Sequence, residues 1–376
     1  MIPIKYRLDS TAEEEYIDKA LSCIPEHKAI DYSCKLEKLL NKMVQQGRPA
    51  AGAILNKAKR FSSQYPDKWC LCEWLVMPYD EIAEIRKYLY ELIGLDLEKM
   101  NICIENTGCR IMPIKSYHDL RKRRNLLYPT HKRIAGIVST PVAYDCIYKD
   151  FTEFSEFYDD WSRKGINCWI TEKTGLKVCP YCNISYTYNR GKRATAQLDH
   201  FFPKSEYPIL ALCFYNLVPC CPACNKIKLD DTEALASPYK DGAFKDLRIT
   251  WTYNGSQNKY GENNSLAALE EMIEIEIETD DSAEQQNLTK LKIKEAYQQH
   301  KDYASEIIKK ARVYTNSDAQ KLICDIGASM GITPEEVERF YLGNYLDGND
   351  LQKRPLSKMT KDFYQEIVCA KNKQSS

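Results

Sequence analysis

Two Cys-x-x-Cys pairs, Cys179-Pro180-Tyr181-Cys182 and Cys221-Pro222-Ala223-Cys224, are separated by 38 residues in a chain of 376. Each pair can set two thiolates on one turn, and four thiolates brought together make the tetrahedral sulfur site that Zn²⁺ prefers. The chain is then pinned at two points, with room for a hairpin and a loop between them. Cys220 does not keep the two-residue gap to Cys224 and reads as a packed thiol rather than a ligand. Taken alone, two such pairs imply a structural zinc ribbon. The segment between them argues for more.

That segment holds the strand-like stretch Gln197-Leu198-Asp199-His200-Phe201, then Asn216, with Asn225 directly after the last cysteine. Neighbours on a strand point to opposite faces, so Asp199 and His200 are expected to have separate jobs. Asp199 offers a hard anionic oxygen and Asn225 a neutral one. Such a pair suits Mg²⁺ or Mn²⁺, which keeps several waters and completes its shell with substrate phosphate. His200, with an ordinary imidazole pKa of about 6.5, is left free to take a proton from water. Without the cysteines, Asp199-His200 would read as a solvated turn or a satisfied strand-end pair.

Cys179, Cys182, Asp199, His200, Pro203, Asn216, Leu217, Cys221, Cys224, Asn225 and Lys228 together resemble the HNH endonucleases, also called ββα-metal or His-Me finger nucleases. The pattern of that family runs Cys-x-x-Cys, Asp-His-x-x-Pro, Asn-Leu-x-x-x-Cys-x-x-Cys-(His/Asn)-x-x-Lys. The resemblance implies that His200 activates the attacking water. Asp199 and Asn225 would hold a catalytic Mg²⁺ (or Mn²⁺), Asn216 would hold the loop and orient the histidine, and the four cysteines would bind a structural Zn²⁺. Asn stands at position 225 where many members have His, which favours an oxygen-loving metal. A short helix is expected from Asn225 to about Leu229, with Lys228 on it meeting a phosphate. The resemblance is local to these positions. It implies cleavage of DNA to a 5′-phosphate product.

Outside this region the signals concern architecture. Residues 1–160 read as a helical domain, with amphipathic helices over Ser10–Cys23, Asp31–Met43 and Pro78–Ile93. Residues 161–240 carry the zinc-braced core, entered through Trp161 and Trp169, which are expected to pack on it. Residues 241–376 turn to strands at Leu247–Tyr253 and Met272–Glu278 around a polar loop, Asn254–Ser265, and then to helices, one of them starting at Thr333-Pro334. The fold class is therefore α+β, a mostly helical protein carrying a ββα-metal core. Large helical flanks and the late segment Lys353-Arg354-Pro355-Leu356-Ser357-Lys358 are similar to the HNH subunit of Septu-type and retron-linked antiphage systems. That similarity implies an ABC-type ATPase partner that controls the nuclease.

The 53 basic and 53 acidic residues balance, which counts against strong non-specific affinity for nucleic acid. Arg190, Lys192 and Arg193 fall in the turn before the Asp-His strand, where contacts to a phosphodiester backbone are expected, and Lys204 follows on its far side. The clusters Lys57/Lys59/Arg60, Arg121–Arg124 and Lys132/Arg133 read as solvated helix faces. Of the other histidines, His300 lies on an apolar helical stripe running from Leu288 to Ala311, and His27, His118 and His131 have no metal-ligand spacing around them. No apolar run is long enough for a membrane span, and 16 cysteines without a disulfide rhythm suit a reducing cytoplasm. A second function class stays open on these residues: a zinc-stabilised nucleic-acid-binding or adaptor module without catalysis.

Overall fold

Capping and apolar spacing set the first helices of the computed structural model, which describes residues 1–91, 151, 153–204, 207–229, 235–253 and 265–374. Helix α1 (Ser10–Leu21) starts where the Asp9 carboxylate accepts the Ala12 N–H at 2.8 Å, and it buries Tyr16, Ile17 and Ala20. Helix α2 (Glu26–Gln45) is longer at both ends than the periodicity predicts, because Pro25 sets its entry and Leu36, Leu40 and Met43 continue its buried stripe. Helix α3 spans Pro49–Ala58. Helix α4 (Trp69–Val76) is apolar nearly all round and lies in the interior, as a helix without a polar face must. Helix α5 covers Tyr79–Glu91. The expected basic clusters Arg121–Arg124 and Lys132/Arg133, His118, His131, the end of the Pro78–Ile93 helix and most of the Asn254–Ser265 loop lie outside the described residues.

The remainder is helical around two small antiparallel sheets. After helices Glu153–Arg163 and Ile166–Thr174, strand β1 (Gln197–His200) pairs with β2 (Leu217–Cys220) in the register Asp199 to Val218 and His200 to Leu217. Strand β3 (Arg248–Tyr253) pairs with β4 (Ile273–Glu278), whose Ile-Glu alternation puts Ile273 and Ile275 inside. Thr333 caps the helix Pro334–Leu342 in a full capping box with Glu336. The expected helical stripe through His300 is instead broken at Lys292, which takes a left-handed conformation (φ 53°), so His300 sits half-buried just before the helix Lys301–Tyr314.

Among the described residues the main apolar core runs through all three regions read from the sequence, from Met1 and Tyr16 through Trp74 and Phe214 to Trp251 and Phe363. Trp161 and Trp169 both pack at a tilt against Tyr16, with ring centroids 5.2 and 5.7 Å away. The basic residues Lys57 and Arg60 are held by carboxylates, Lys57 by Glu81 at 2.7 Å and Arg60 by the buried Glu73 at 2.9 Å. Among the described residues no helix is long and apolar enough to cross a membrane.

Candidate metal centre and catalytic site

Cys179, Cys182, Cys221 and Cys224 are all buried, and their sulfurs lie within 4.8 Å of one another. Four Zn–S bonds of about 2.3 Å would place sulfurs about 3.8 Å apart, so the cluster has the size and donor set of a tetrahedral zinc site. The backbone turns are of the metal-knuckle kind: the Ile184 N–H donates to Cys182 Sγ and the Cys224 N–H to Cys221 Sγ, each at 3.4 Å. Asn183 completes the first turn at φ 54°. Its side chain and carbonyl bond Leu351, Leu356 and Lys358, fastening the C-terminal segment to the knuckle. Hydrogen bonding from the neighbouring thiols, Cys179 first, lowers the Cys182 and Cys221 thiols, whereas burial pushes Cys179 well up. Cys220 is fully buried outside the cluster, and burial raises its thiol as well.

Cys221 caps the following helix with its sulfur, and Pro222 occupies the first helical position, so the helix runs Pro222–Lys228. It begins three residues before the expected Asn225 because the knuckle itself supplies the cap. Residues 225 and 228 share one face of this helix, and residues 197 and 199 share one face of β1. The two faces meet. Asn225 Nδ2 donates to Gln197 Oε1 at 2.8 Å, and Lys228 Nζ donates to Asp199 Oδ1 at 3.0 Å and to the His200 carbonyl at 3.0 Å. The Tyr181 hydroxyl, from inside the first knuckle, donates to Asp199 Oδ2 at 2.6 Å. Asp199 is only 3% exposed and is thus fixed from both halves of the thiol cluster.

This arrangement corrects the expectation for Lys228. Its ammonium is fully buried and neutralises Asp199 instead of facing a phosphate. Both Asp199 oxygens already accept hydrogen bonds, Oδ1 from Lys228 and Oδ2 from Tyr181. The positive charge that the structure places on Asp199 is that of Lys228.

His200 points the other way from β1. Its Nε2 lies 3.1 Å from the Ala211 carbonyl, and Tyr158 packs edge-on at 4.4 Å between ring centroids. A carbonyl only accepts, so Nε2 carries the proton and Nδ1 keeps a lone pair. Burial, followed by the nearby positive charge of Lys204, lowers the imidazole pKa to about 3, against the pull of the Ala211 hydrogen bond. The ring is neutral at physiological pH.

The carbonyl that fixes this tautomer belongs to a run of four, each bonded by a different side chain. Trp74 Nε1 holds Ile209 O at 2.8 Å, Asn216 Nδ2 holds Leu210 O at 3.0 Å, His200 holds Ala211 O, and the Tyr16 hydroxyl holds Leu212 O at 2.9 Å. Asn216 also bonds the Phe202 carbonyl and N–H, tying both ends of the loop together. Tyr16 and Trp74 come from α1 and α4, and nothing in their local sequence marks them as partners of this loop. Asn216→Leu should leave the Phe202 N–H and carbonyl unpaired, with the Leu210 carbonyl kept only by the Cys213 N–H, and cost on the order of 3 kcal/mol. A urea midpoint unchanged from wild type would contradict that role.

Arg190, Lys192 and Arg193 lie on an exposed tight turn in which residues 190 and 193 exchange backbone hydrogen bonds. Lys204 is engaged with Asp159 at 2.5 Å and lies over the Tyr158 ring, so it is not a free cation. No protein-family profile, characterised protein or solved structure matches this chain.

Proposed function

We propose that this protein is an HNH-type endonuclease that hydrolyses phosphodiester bonds in DNA. The observation that carries the reading is the pairing of a strand hairpin and a helix, braced by four thiols, with an imidazole whose Nδ1 is left as an acceptor beside it. In this reading a zinc ion holds the four sulfurs. His200 Nδ1 takes a proton from the attacking water as its oxygen bonds to phosphorus and the 3′ oxygen leaves with the bond electrons. Ala211 O holds the ring so that only this nitrogen faces the reaction, and Tyr158 shields it from bulk water. A Mg²⁺ ion held by Asp199 and Asn225 would supply Lewis-acid stabilisation of the developing charge when bound. The negative charge of the phosphodiester itself raises the basicity of His200 as the substrate docks.

A second reading is favoured by one specific contact, the closed Asp199–Lys228 pair, which gives the carboxylate a structural role. In that reading the chain is a zinc-stabilised adaptor. Partner control by an ABC-type ATPase draws support from an exposed apolar stripe far along the chain. Leu322, Ile326 and Met330 recur at helical spacing, with Phe340 on the next helix, all more than half exposed. Purified protein, alone and with a candidate ATPase, is incubated with supercoiled plasmid and Mg²⁺. The nuclease reading expects nicking or linearisation that His200→Ala abolishes without changing zinc content. Equal inertness of both proteins in both conditions would favour the adaptor.

A further inference from the structure

Residues 184–196 form a ribbon that leads from the first knuckle into β1. Along it Tyr186 and Tyr188 point outward, 50% and 40% exposed, while Thr187 between them is fully buried. This is the period-two alternation of extended chain, and Arg190 continues the outward face. The two rings lie 5.2 Å apart at 63°. Backbone and side-chain bonds keep the ribbon in place: Thr187 N–H to Lys177 O at 2.9 Å, Thr195 Oγ1 to Tyr188 O at 2.6 Å, and Asn189 Nδ2 to Cys168 O at 2.8 Å. It ends in the turn that exposes Arg190, Lys192 and Arg193. Among the described residues no carboxylate pairs with these three cations, although elsewhere in the protein exposed cations such as Lys57, Arg60 and Lys204 are matched by acids.

We propose that this ribbon is a stacking platform for single-stranded nucleic acid, with unpaired bases on Tyr186 and Tyr188 and backbone phosphates on Arg190, Lys192 and Arg193. In a duplex the faces of the bases are buried against each other, and only edges and phosphates are offered. A surface tyrosine pair therefore gains little from a duplex. A single strand presents its base faces, and a ring beside a cation meets both parts of each nucleotide. The phenolic hydroxyls keep the rings compatible with water until a strand arrives. Because the ribbon runs directly into the strand that bears His200, the inference deepens the nuclease reading by naming its substrate as unpaired strand. It rests on that reading only for what happens to the strand after binding.

The test measures binding without cleavage, on the full chain with no Mg²⁺ added. The probes are fluorescein-labelled oligothymidylate, oligouridylate and a duplex of equal length, followed by anisotropy over a range of salt. One or both single strands should bind more tightly than the duplex, and the comparison between them distinguishes DNA from RNA as the source. Tyr186→Ala/Tyr188→Ala should weaken single-strand binding about tenfold or more, and Tyr186→Phe/Tyr188→Phe should restore it. Arg190→Gln/Lys192→Gln/Arg193→Gln should weaken single strand and duplex alike and flatten the salt dependence by about 0.7 of a log unit per lost contact. Duplex binding as tight as single strand, indifference to the Tyr→Ala pair, or no binding at all overturns the platform. Each of these leaves the plasmid assay to judge catalysis separately. Strand binding that survives while added Mg²⁺ leaves both the plasmid and the single-stranded probes uncut keeps the platform and removes the nuclease.

Discussion

Purified protein should contain one zinc ion per chain, and Cys221→Ser should lose both that metal and the folded state of the surrounding core. The expected loss is large because structural zinc in small modules contributes on the order of 10 kcal/mol. Here the cluster is more than a local staple. Tyr181 inside the first knuckle bonds Asp199, Cys221 caps the helix that carries Lys228, Asn183 anchors the C-terminal segment, and the Tyr297 hydroxyl donates to the Cys182 carbonyl at 2.9 Å. Loss of the metal should therefore be felt along the chain from Asp199 to residue 358. Metal analysis and thermal unfolding of wild type, Cys221→Ser and Cys220→Ala make the comparison. Cys220→Ala should keep full zinc and lose only packing, since that thiol lies outside the cluster. Retention of zinc at full stoichiometry by Cys221→Ser would rule out this ligand set.

The cluster of four thiols was legible because a metal-binding pattern imposes spacing on the sequence itself. The same holds for β1, for the Ile-Glu strand β4, and for the Thr333 cap, each of which is a local rule read over a few residues. The four-carbonyl clamp was not legible. Tyr16 and Trp74 act on Leu212 and Ile209 across 196 and 135 residues of sequence, and their types announce only that they are large and buried. The start of the site helix was missed for a different reason: the sulfur of Cys221 serves as an N-cap, a role usually filled by an oxygen side chain. Lys228 lies between these cases. Its spacing from Asn225 and that of Asp199 from Gln197 are both in the sequence, but only the direction in which the helix crosses β1 shows that the two charges meet.

That meeting makes the fold sensitive to Lys228. Its ammonium and the Asp199 carboxylate are 0% and 4% exposed, and they have been removed from water together. Lys228→Met fills a similar volume but leaves a buried carboxylate supported by Tyr181 alone, and also frees the His200 carbonyl. The expected cost is about 3–5 kcal/mol, the range for removing one partner of a buried ion pair. Asp199→Asn/Lys228→Met removes both charges and should recover most of that loss, giving a coupling of a few kcal/mol in a double-mutant cycle. Urea unfolding of the four proteins, followed by tryptophan fluorescence with zinc content held equal, measures it. If the double variant is as unstable as Lys228→Met, the charge pair is not what holds β1 to the helix, and the contact of the Lys228 ammonium with the Phe201 ring, 5.7 Å from its centroid, must account for the effect. If Lys228→Met is as stable as wild type, Asp199 is able to find water or a cation without the ammonium. The carboxylate would then be open to a divalent ion, which calcium titration of the variant, read as a rise in its unfolding midpoint, would detect directly.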